Sequence, residues 1–168
     1  MKGRAVIPNS RVAYIANTYQ QARDICWEQL KKDCRDAGTL NEARLEIKLV
    51  NGSFIVLRGW EAVENLRGQA FDLIVMDEVA SMNDFWINWQ EVLRPTLTDR
   101  MGEAMFISTP KGFNHFYDLC NQELTDKDFK AFHFTSWDNP HLPVEELERA
   151  KETLPKDRYL QEYEASFQ

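Results

Sequence analysis

The stretch Leu73-Ile74-Val75-Met76-Asp77-Glu78 decides the fold. Leu, Ile, Val and Met in unbroken succession fit a strand buried on both faces, the kind that lies inside a parallel sheet. Two carboxylates follow at its C-terminal end, where α/β sheets place their ligands. Successive side chains on a strand point to opposite faces, so the two carboxyl groups can take separate tasks. In ATP hydrolysis such a pair divides the work. The Asp holds Mg²⁺, usually through water, and the Glu accepts a proton from, or orients, the attacking water. The same letters also fit a strand that ends in a solvated acidic turn.

Outward from this strand the chain alternates strand and helix, which predicts an α/β layer architecture. Arg11–Ala16 is a short, nearly continuous apolar run and reads as a buried strand. Thr18 and Gln21 form a capping-box pattern for the helix that follows. Its apolar face carries Ala22, Cys26, Leu30 and Cys34, with Ile25 beside them, and Gly38 ends the segment. Leu45–Val50 and Phe54–Leu57 flank Asn51-Gly52, a strong hairpin signal. Trp86, Trp89, Val92 and Leu93 mark a helix with Pro95 beyond it. Ala104–Ile107 reads as a buried strand, Phe113–Leu124 as a helix and Lys130–Thr135 as a strand. Pro143, Glu145 and Glu146 open a last helical stretch. Tyr159, Leu160, Tyr163 and Phe167 continue a helical stripe to the end.

Composition narrows the function classes. The 168 residues carry 20 Lys+Arg and 27 Asp+Glu, a formal charge of −7, with 43% apolar and 12% aromatic residues. That is one domain's worth of chain with enough apolar mass for a core, and it excludes a disordered tail or a collagen-like repeat. The acidic balance argues against a free-standing nucleic-acid binder, although a local basic patch fits within it. No apolar run reaches the roughly 18 residues of a membrane span. Met1–Pro8 lacks the apolar core of a secretory signal. Three cysteines, Cys26, Cys34 and Cys120, without a C-x-x-C pair, predict a reduced, cytoplasmic chain in which Cys26 and Cys34 are core thiols. His115, His133 and His141 lack metal-ligand spacing.

Two further polar turns follow strands. Phe106-Ile-Ser-Thr-Pro110 sets two hydroxyls at a strand end, where they can sense a γ-phosphate or hydrogen-bond a water; a plain Pro turn fits as well. Ser136-Trp-Asp-Asn-Pro140 reads as a loop held by Asx hydrogen bonds.

In order, Val12–Ala22, Leu66-Arg-Gly68, Leu73–Glu78, Leu93-Arg-Pro95, Phe106–Pro110 with Gly112, Thr135–Pro140 and Tyr159–Phe167 form a series. This series resembles the ATPase domain of the large terminase subunit, the motor that packages DNA into tailed bacteriophage heads. The resemblance implies a three-layer α/β sandwich of the P-loop NTPase (ASCE) type with a mainly parallel sheet, here without its P-loop strand. It makes residues 1–168 a single partial ATPase domain, with 139–168 leading toward a nuclease domain. Asp77 then matches the Walker B aspartate and Mg²⁺ site, and Glu78 the catalytic glutamate. Ser108 and Thr109 match the motif that couples hydrolysis to DNA movement. Thr18, Tyr19 and Gln20 lie in the segment near the nucleotide. Arg94 and Arg100 are candidates for an arginine presented to a neighbouring subunit in a homo-oligomeric ring, or are ordinary surface arginines. The implied cofactors are ATP and Mg²⁺, and the implied partners double-stranded DNA, the portal protein and a small terminase subunit.

One element of the pattern is missing. None of the seven glycines (3, 38, 52, 59, 68, 102 and 112) is followed by lysine, so the sequence holds no G-x-x-x-x-G-K-[ST] loop. A charge-assisted hydrogen bond contributes roughly 1.5–3 kcal/mol. Losing three costs about 5–9 kcal/mol, or about three to six powers of ten in affinity. The chain alone is therefore expected to bind ATP too weakly to be useful. The resemblance also implies a nuclease domain built on clustered acidic residues, which Asp126 and Asp128 do not replace, so no DNA cleavage is expected. In the intact domain the P-loop strand lies beside the strand ending at Ser108-Thr109. Without it, either the Lys130–Thr135 strand pairs there directly, or an open edge remains, or a second polypeptide fills the gap. Trp27, Trp60 and several phenylalanines are then expected to be more exposed than in the intact domain. A catalytically inactive remnant or interaction module, and another P-loop motor such as a helicase, are the alternative readings.

Overall fold

The strand β1 (Arg11–Ala16) is buried at every residue from Val12 to Ala16 because it has a strand on each side and helices over both faces. The structure, a computed structural model, describes residues 1–168 as two compact units, Met1–Ile107 and Ser108–Gln168. In the first unit β1 joins β2 (Gly38–Asn41), β3 (Glu46–Leu49), β4 (Phe54–Gly59), β5 (Leu73–Asp77) and β6 (Glu103–Ile107). The sheet order is β2-β3-β4-β1-β5-β6. β4, β1, β5 and β6 run parallel, and β3 and β2 are added antiparallel at one side. The expected hairpin is present, with Gly52 at φ 82° supplying the left-handed turn residue after Asn51. β2 was not foreseen. It is short, and its first residue, Gly38, lies so close to the Lys48 carbonyl that a Cβ would collide with it.

One face of the sheet is covered by a continuous helix built from α2 (Tyr19–Ala22), a π-helical turn (Arg23–Trp27) and α3 (Glu28–Cys34). Thr18 caps it as expected: its hydroxyl accepts from the Gln21 N–H at 3.1 Å, and Gln21 Oε1 accepts from the Thr18 N–H at 3.2 Å. Trp27, Leu30 and Cys34 pack against Val12, Tyr14, Ile47, Ile55, Leu57 and Val75 in one buried cluster. Each fully buried aliphatic side chain there contributes about 1.5–3 kcal/mol. The π-helical turn inserts an extra residue into the helical period. It turns Ile25 outward, to 55% exposure, and puts Trp27 in the core at 0%. This corrects two expectations: Ile25 on the apolar face, and extra exposure of Trp27, which is fully buried.

The opposite face carries the alternate residues Ala13, Ile15, Ile74 and Met76, all buried. Phe106, in register with Met76, meets Phe85 and Trp89 edge-on at 6.0 and 5.0 Å between centroids. Trp60 stacks on Phe85 and is 8% exposed, so its expected exposure is not met either. Phe85 and Trp89 belong to a second continuous helix: α4 (Phe85–Asn88), a π-helical turn (Trp89–Leu93) and α5 (Arg94–Thr98). Pro95 lies inside this helix, not beyond it. Proline has no N–H for the carbonyl four residues back, that of Glu91. Arg67 Nη1 donates to that carbonyl instead, at 2.9 Å.

The sheet stops at β6, whose Met105 and Ile107 are exposed. Residues 130–135 form no strand, and Phe132 and Phe134 are 74% and 70% exposed. An alternating apolar pattern cannot hold a strand without a ladder of backbone partners. Of the arrangements expected at this edge, direct pairing is therefore absent and β6 is left as an edge.

In the second unit Asn114 caps α6 (His115–Asn121) by accepting from the Phe116 N–H at 3.0 Å. The Ser136–Pro140 turn is held as expected: Asp138 Oδ2 accepts from the Thr135 N–H at 2.7 Å and Asn139 Oδ1 from the His141 N–H at 3.0 Å. This turn holds the 159–163 segment. Trp137 Nε1 donates to the Tyr159 hydroxyl at 2.9 Å, and the Ser136 N–H to the Tyr163 carbonyl at 2.7 Å. After α7 (Val144–Thr153), α8 (Lys156–Glu162) ends before the terminal stripe does. Phe167 lies beyond the helix and meets Tyr117 at 5.2 Å.

Candidate active site

Parallel pairing brings the C-terminal ends of β1 and β5 to the same edge of the sheet. Tyr14 is in register with Val75, so Asp77, two residues further along β5, falls on the face that Tyr14 occupies. The Tyr14 hydroxyl donates to Asp77 Oδ2 at 2.6 Å, and the Glu78 N–H donates to Asp77 Oδ1 at 3.0 Å. Tyr14 is 3% exposed. Burial pushes its phenol far above the ordinary tyrosine range, and the hydrogen bond to the Asp77 carboxylate pushes the same way, so it is a permanent donor.

Glu78 has φ 58° and ψ 40°, a left-handed backbone that a non-glycine residue adopts at a cost of about 1–3 kcal/mol. Asn17, the residue after β1, holds this conformation by donating from Nδ2 to the Glu78 carbonyl at 3.3 Å. The two carboxylate residues are thus each tied to β1 or its continuation. The strained residue is the second of the pair, where strain commonly marks function.

Thr18, Tyr19 and Gln20 lie at the same sheet edge, directly after β1. Thr18 is engaged as the helix cap. The Tyr19 N–H donates to Glu61 Oε1 at 2.7 Å, and Gln20 Nε2 to Asp24 Oδ1 at 2.8 Å. Arg94 opens α5 and is exposed. Arg100 lies at the other end of β5, where its Nη1 donates to Asp72 Oδ2 at 2.8 Å and to the Asn9 carbonyl at 3.1 Å. Ser108 and Thr109 begin the second unit, half-buried, with Ser108 Oγ donating to the Thr109 carbonyl at 3.0 Å.

The structure has no group of three or more His, Cys, Asp or Glu side chains that could hold a metal by itself. Mg²⁺ does not need one: it is usually held by one or two carboxylates, with water and phosphate oxygens completing the shell. An ionised carboxylate offers about four acceptor positions. Tyr14 and Glu78 N take one each, so Asp77 fits a water-mediated Mg²⁺ ligand. Sequence reasoning missed Tyr14 and Asn17. The signal for Tyr14 was present, since a phenol inside a strand of small and aliphatic residues must find a polar partner.

A mostly parallel sheet with helices on both faces and an acidic pair at the end of an interior strand defines the P-loop NTPase-like α/β fold. Residues 3–168 match the family described as terminase large subunit, T4likevirus-type, N-terminal, and the chain belongs to that family. It is similar to the terminase large subunit of Escherichia phage T5, at 32% identity over 166 residues, covering 95% of this chain and 38% of the relative. A similar likeness holds for the terminase large subunit of Thermus phage G20c, at 38% identity over 122 residues, 62% of this chain and 24% of the relative. The chain thus spans well under half the length of these curated relatives. Among solved structures, the large terminase ATPase domain of Thermus phage P74-26 matches with a TM-score of 0.78 and 29% identity, over 97% of this chain and 78% of that one. The large terminase of another thermophilic bacteriophage, in complex with ATP-γ-S, shares the fold with a TM-score of 0.75 at 17% identity, over 98% of this chain and 41% of that one. No helix is long and apolar enough to cross a membrane.

Proposed function

We propose that this chain is the hydrolytic part of the ATPase motor of a phage DNA-packaging terminase, the part that handles water and metal rather than the phosphate loop. The observation that carries this reading is Asp77-Glu78 at the end of β5, with Glu78 in a strained backbone conformation held from both sides. Asp77, as the Walker B carboxylate, would hold Mg²⁺ through a water. Glu78 takes the proton of the attacking water or orients it. When bound, Mg²⁺ neutralises charge on the phosphates of ATP. Thr18, Tyr19 and Gln20 line the same edge. Ser108 and Thr109, which follow β6 directly in the chain, carry the coupling role.

Arg94 is the better candidate for an arginine acting on a neighbouring subunit, because it is exposed while Arg100 is engaged by Asp72. Double-stranded DNA, the portal protein and a small terminase subunit are the proposed partners of the intact motor. The relatives carry this proposal to the level of the whole protein: the phage T5 protein supplies the large-subunit likeness, and the ATP-γ-S complex a nucleotide bound to the same fold.

Calorimetry with Mg-ATP tests the reading on this chain and on a polypeptide in which a phosphate-binding loop precedes it. We expect no saturable heat at millimolar ATP from the chain alone. The loop-bearing form should bind, and Asp77→Ala should weaken that binding. Binding indifferent to Asp77→Ala in the loop-bearing form would overturn the assignment.

A further inference from the structure

We propose that Tyr14 is the positioning residue of the metal-side carboxylate: its hydroxyl fixes the Asp77 side chain in the rotamer that receives the hydrated cation. This rests on the reading of Asp77 as the Mg²⁺ carboxylate. A carboxylate at a strand end has freedom about two torsions, and only donors on both oxygens fix its plane. Asp77 has them, from Tyr14 at 2.6 Å on Oδ2 and from the Glu78 N–H at 3.0 Å on Oδ1. The Glu78 donor is local and moves with β5. Tyr14 comes from the neighbouring strand, and its ring is locked in the core cluster with Val12, Trp27, Leu57 and Val75. Tyr14 therefore sets where the carboxylate stands relative to β1 and the Thr18–Gln20 segment.

The chemistry of the donor matters as much as its place. The bond has the length of a charge-assisted O–H···O⁻ contact. A phenol donates without carrying positive charge, so it orients the carboxylate and leaves its full negative charge for a cation. An arginine would orient and neutralise at once, which is what happens to Asp72 at the other end of the strand. Hydrogen-bond partners of metal-binding carboxylates typically change metal affinity by 10–100-fold when removed.

The test uses the whole 168-residue chain with Mn²⁺ alone as the probe, read by paramagnetic broadening of the Asp77 and Glu78 amide resonances. Side-chain couplings report the Asp77 rotamer. We expect one Asp77 rotamer in the wild type, rotamer averaging in Tyr14→Phe, and Mn²⁺ affinity about tenfold weaker in that variant. Asp77→Asn separates the two readings. If Asp77→Asn leaves the broadening unchanged, the metal assignment itself fails. If Asp77→Asn abolishes it while Tyr14→Phe keeps a single rotamer and wild-type affinity, Tyr14 is only a core residue. Should Tyr14→Phe fail to fold, the wild-type Tyr14 hydroxyl proton decides. A slowly exchanging downfield resonance that moves upfield in Asp77→Asn supports the role, and a hydroxyl in fast exchange with water overturns it.

Discussion

β5 begins and ends on an aspartate environment, and the two are opposites. Asp72, just before the strand, accepts from the Arg11 N–H at 2.7 Å and from Arg100 Nη1 at 2.8 Å, with Arg4 Nη2 at 3.8 Å. Asp77, at its far end, is held by a phenol and a backbone N–H, both neutral. One carboxylate is oriented and neutralised, and so ties β5 to β1 and to the α5–β6 connection. The other is oriented with its charge intact. Along β5, then, the aspartate at the N-terminal edge sits in an ion-pair cluster, while the one at the C-terminal edge is held by neutral donors.

Substitutions at the two ends should break the comparison if it is wrong. Asp72→Asn removes the charge from a largely buried ion-pair centre and should lower unfolding stability by about 2–3 kcal/mol in urea titrations. Asp77→Asn keeps an acceptor for Tyr14 and should cost under about 1 kcal/mol in the same assay, while losing Mn²⁺ binding. Equal stability losses at the two sites would remove the distinction.

Smaller effects sharpen the picture around the helix that covers Tyr14. Trp27 Nε1 donates to Glu42 Oε2 at 2.9 Å and Lys31 Nζ to Glu42 Oε1 at 3.0 Å. The Trp27 hydrogen bond, then that from Lys31, holds the Glu42 carboxyl below its ordinary range. A depressed carboxylate stabilises the fold at pH above its unfolded-state value, about 4.3, and loses that contribution as pH falls through the folded value. Glu42→Gln should therefore lower stability at neutral pH and flatten its fall below about pH 4.3, followed by tryptophan fluorescence at the two pH values. A variant as acid-sensitive as the wild type would show that Glu42 does not secure the helix.

The sequence made much of this legible, and its failures have physical causes. The runs Arg11–Ala16 and Leu73–Asp77, the Asn51-Gly52 turn and the Thr18 cap are local signals, and each appears in the structure. What failed depended on distant partners. The π-helical turn at Arg23–Trp27 exchanges Ile25 for Trp27 in the core, which a helical period of about 3.6 residues cannot foresee. The helix runs through Pro95 because Arg67 takes the orphaned Glu91 carbonyl. Residues 130–135 have a strand's pattern but no ladder to join. At the site, Asp77 and Glu78 could be read from their place after an apolar run. That the Tyr14 phenol needs a polar partner was legible too, but not that Tyr14 and Asn17 hold this pair, because the contacts span 63 and 61 residues and follow from the β1–β5 register.

The central claim, that the end of β5 is where ATP is hydrolysed, is tested most directly by ATP turnover in a polypeptide that carries this sequence behind a phosphate-binding loop. Glu78→Gln keeps the size and shape of the side chain and removes the base. Turnover should then be at least about a hundredfold slower, with Mg-ATP binding retained. Turnover at the wild-type rate in Glu78→Gln would contradict the claim.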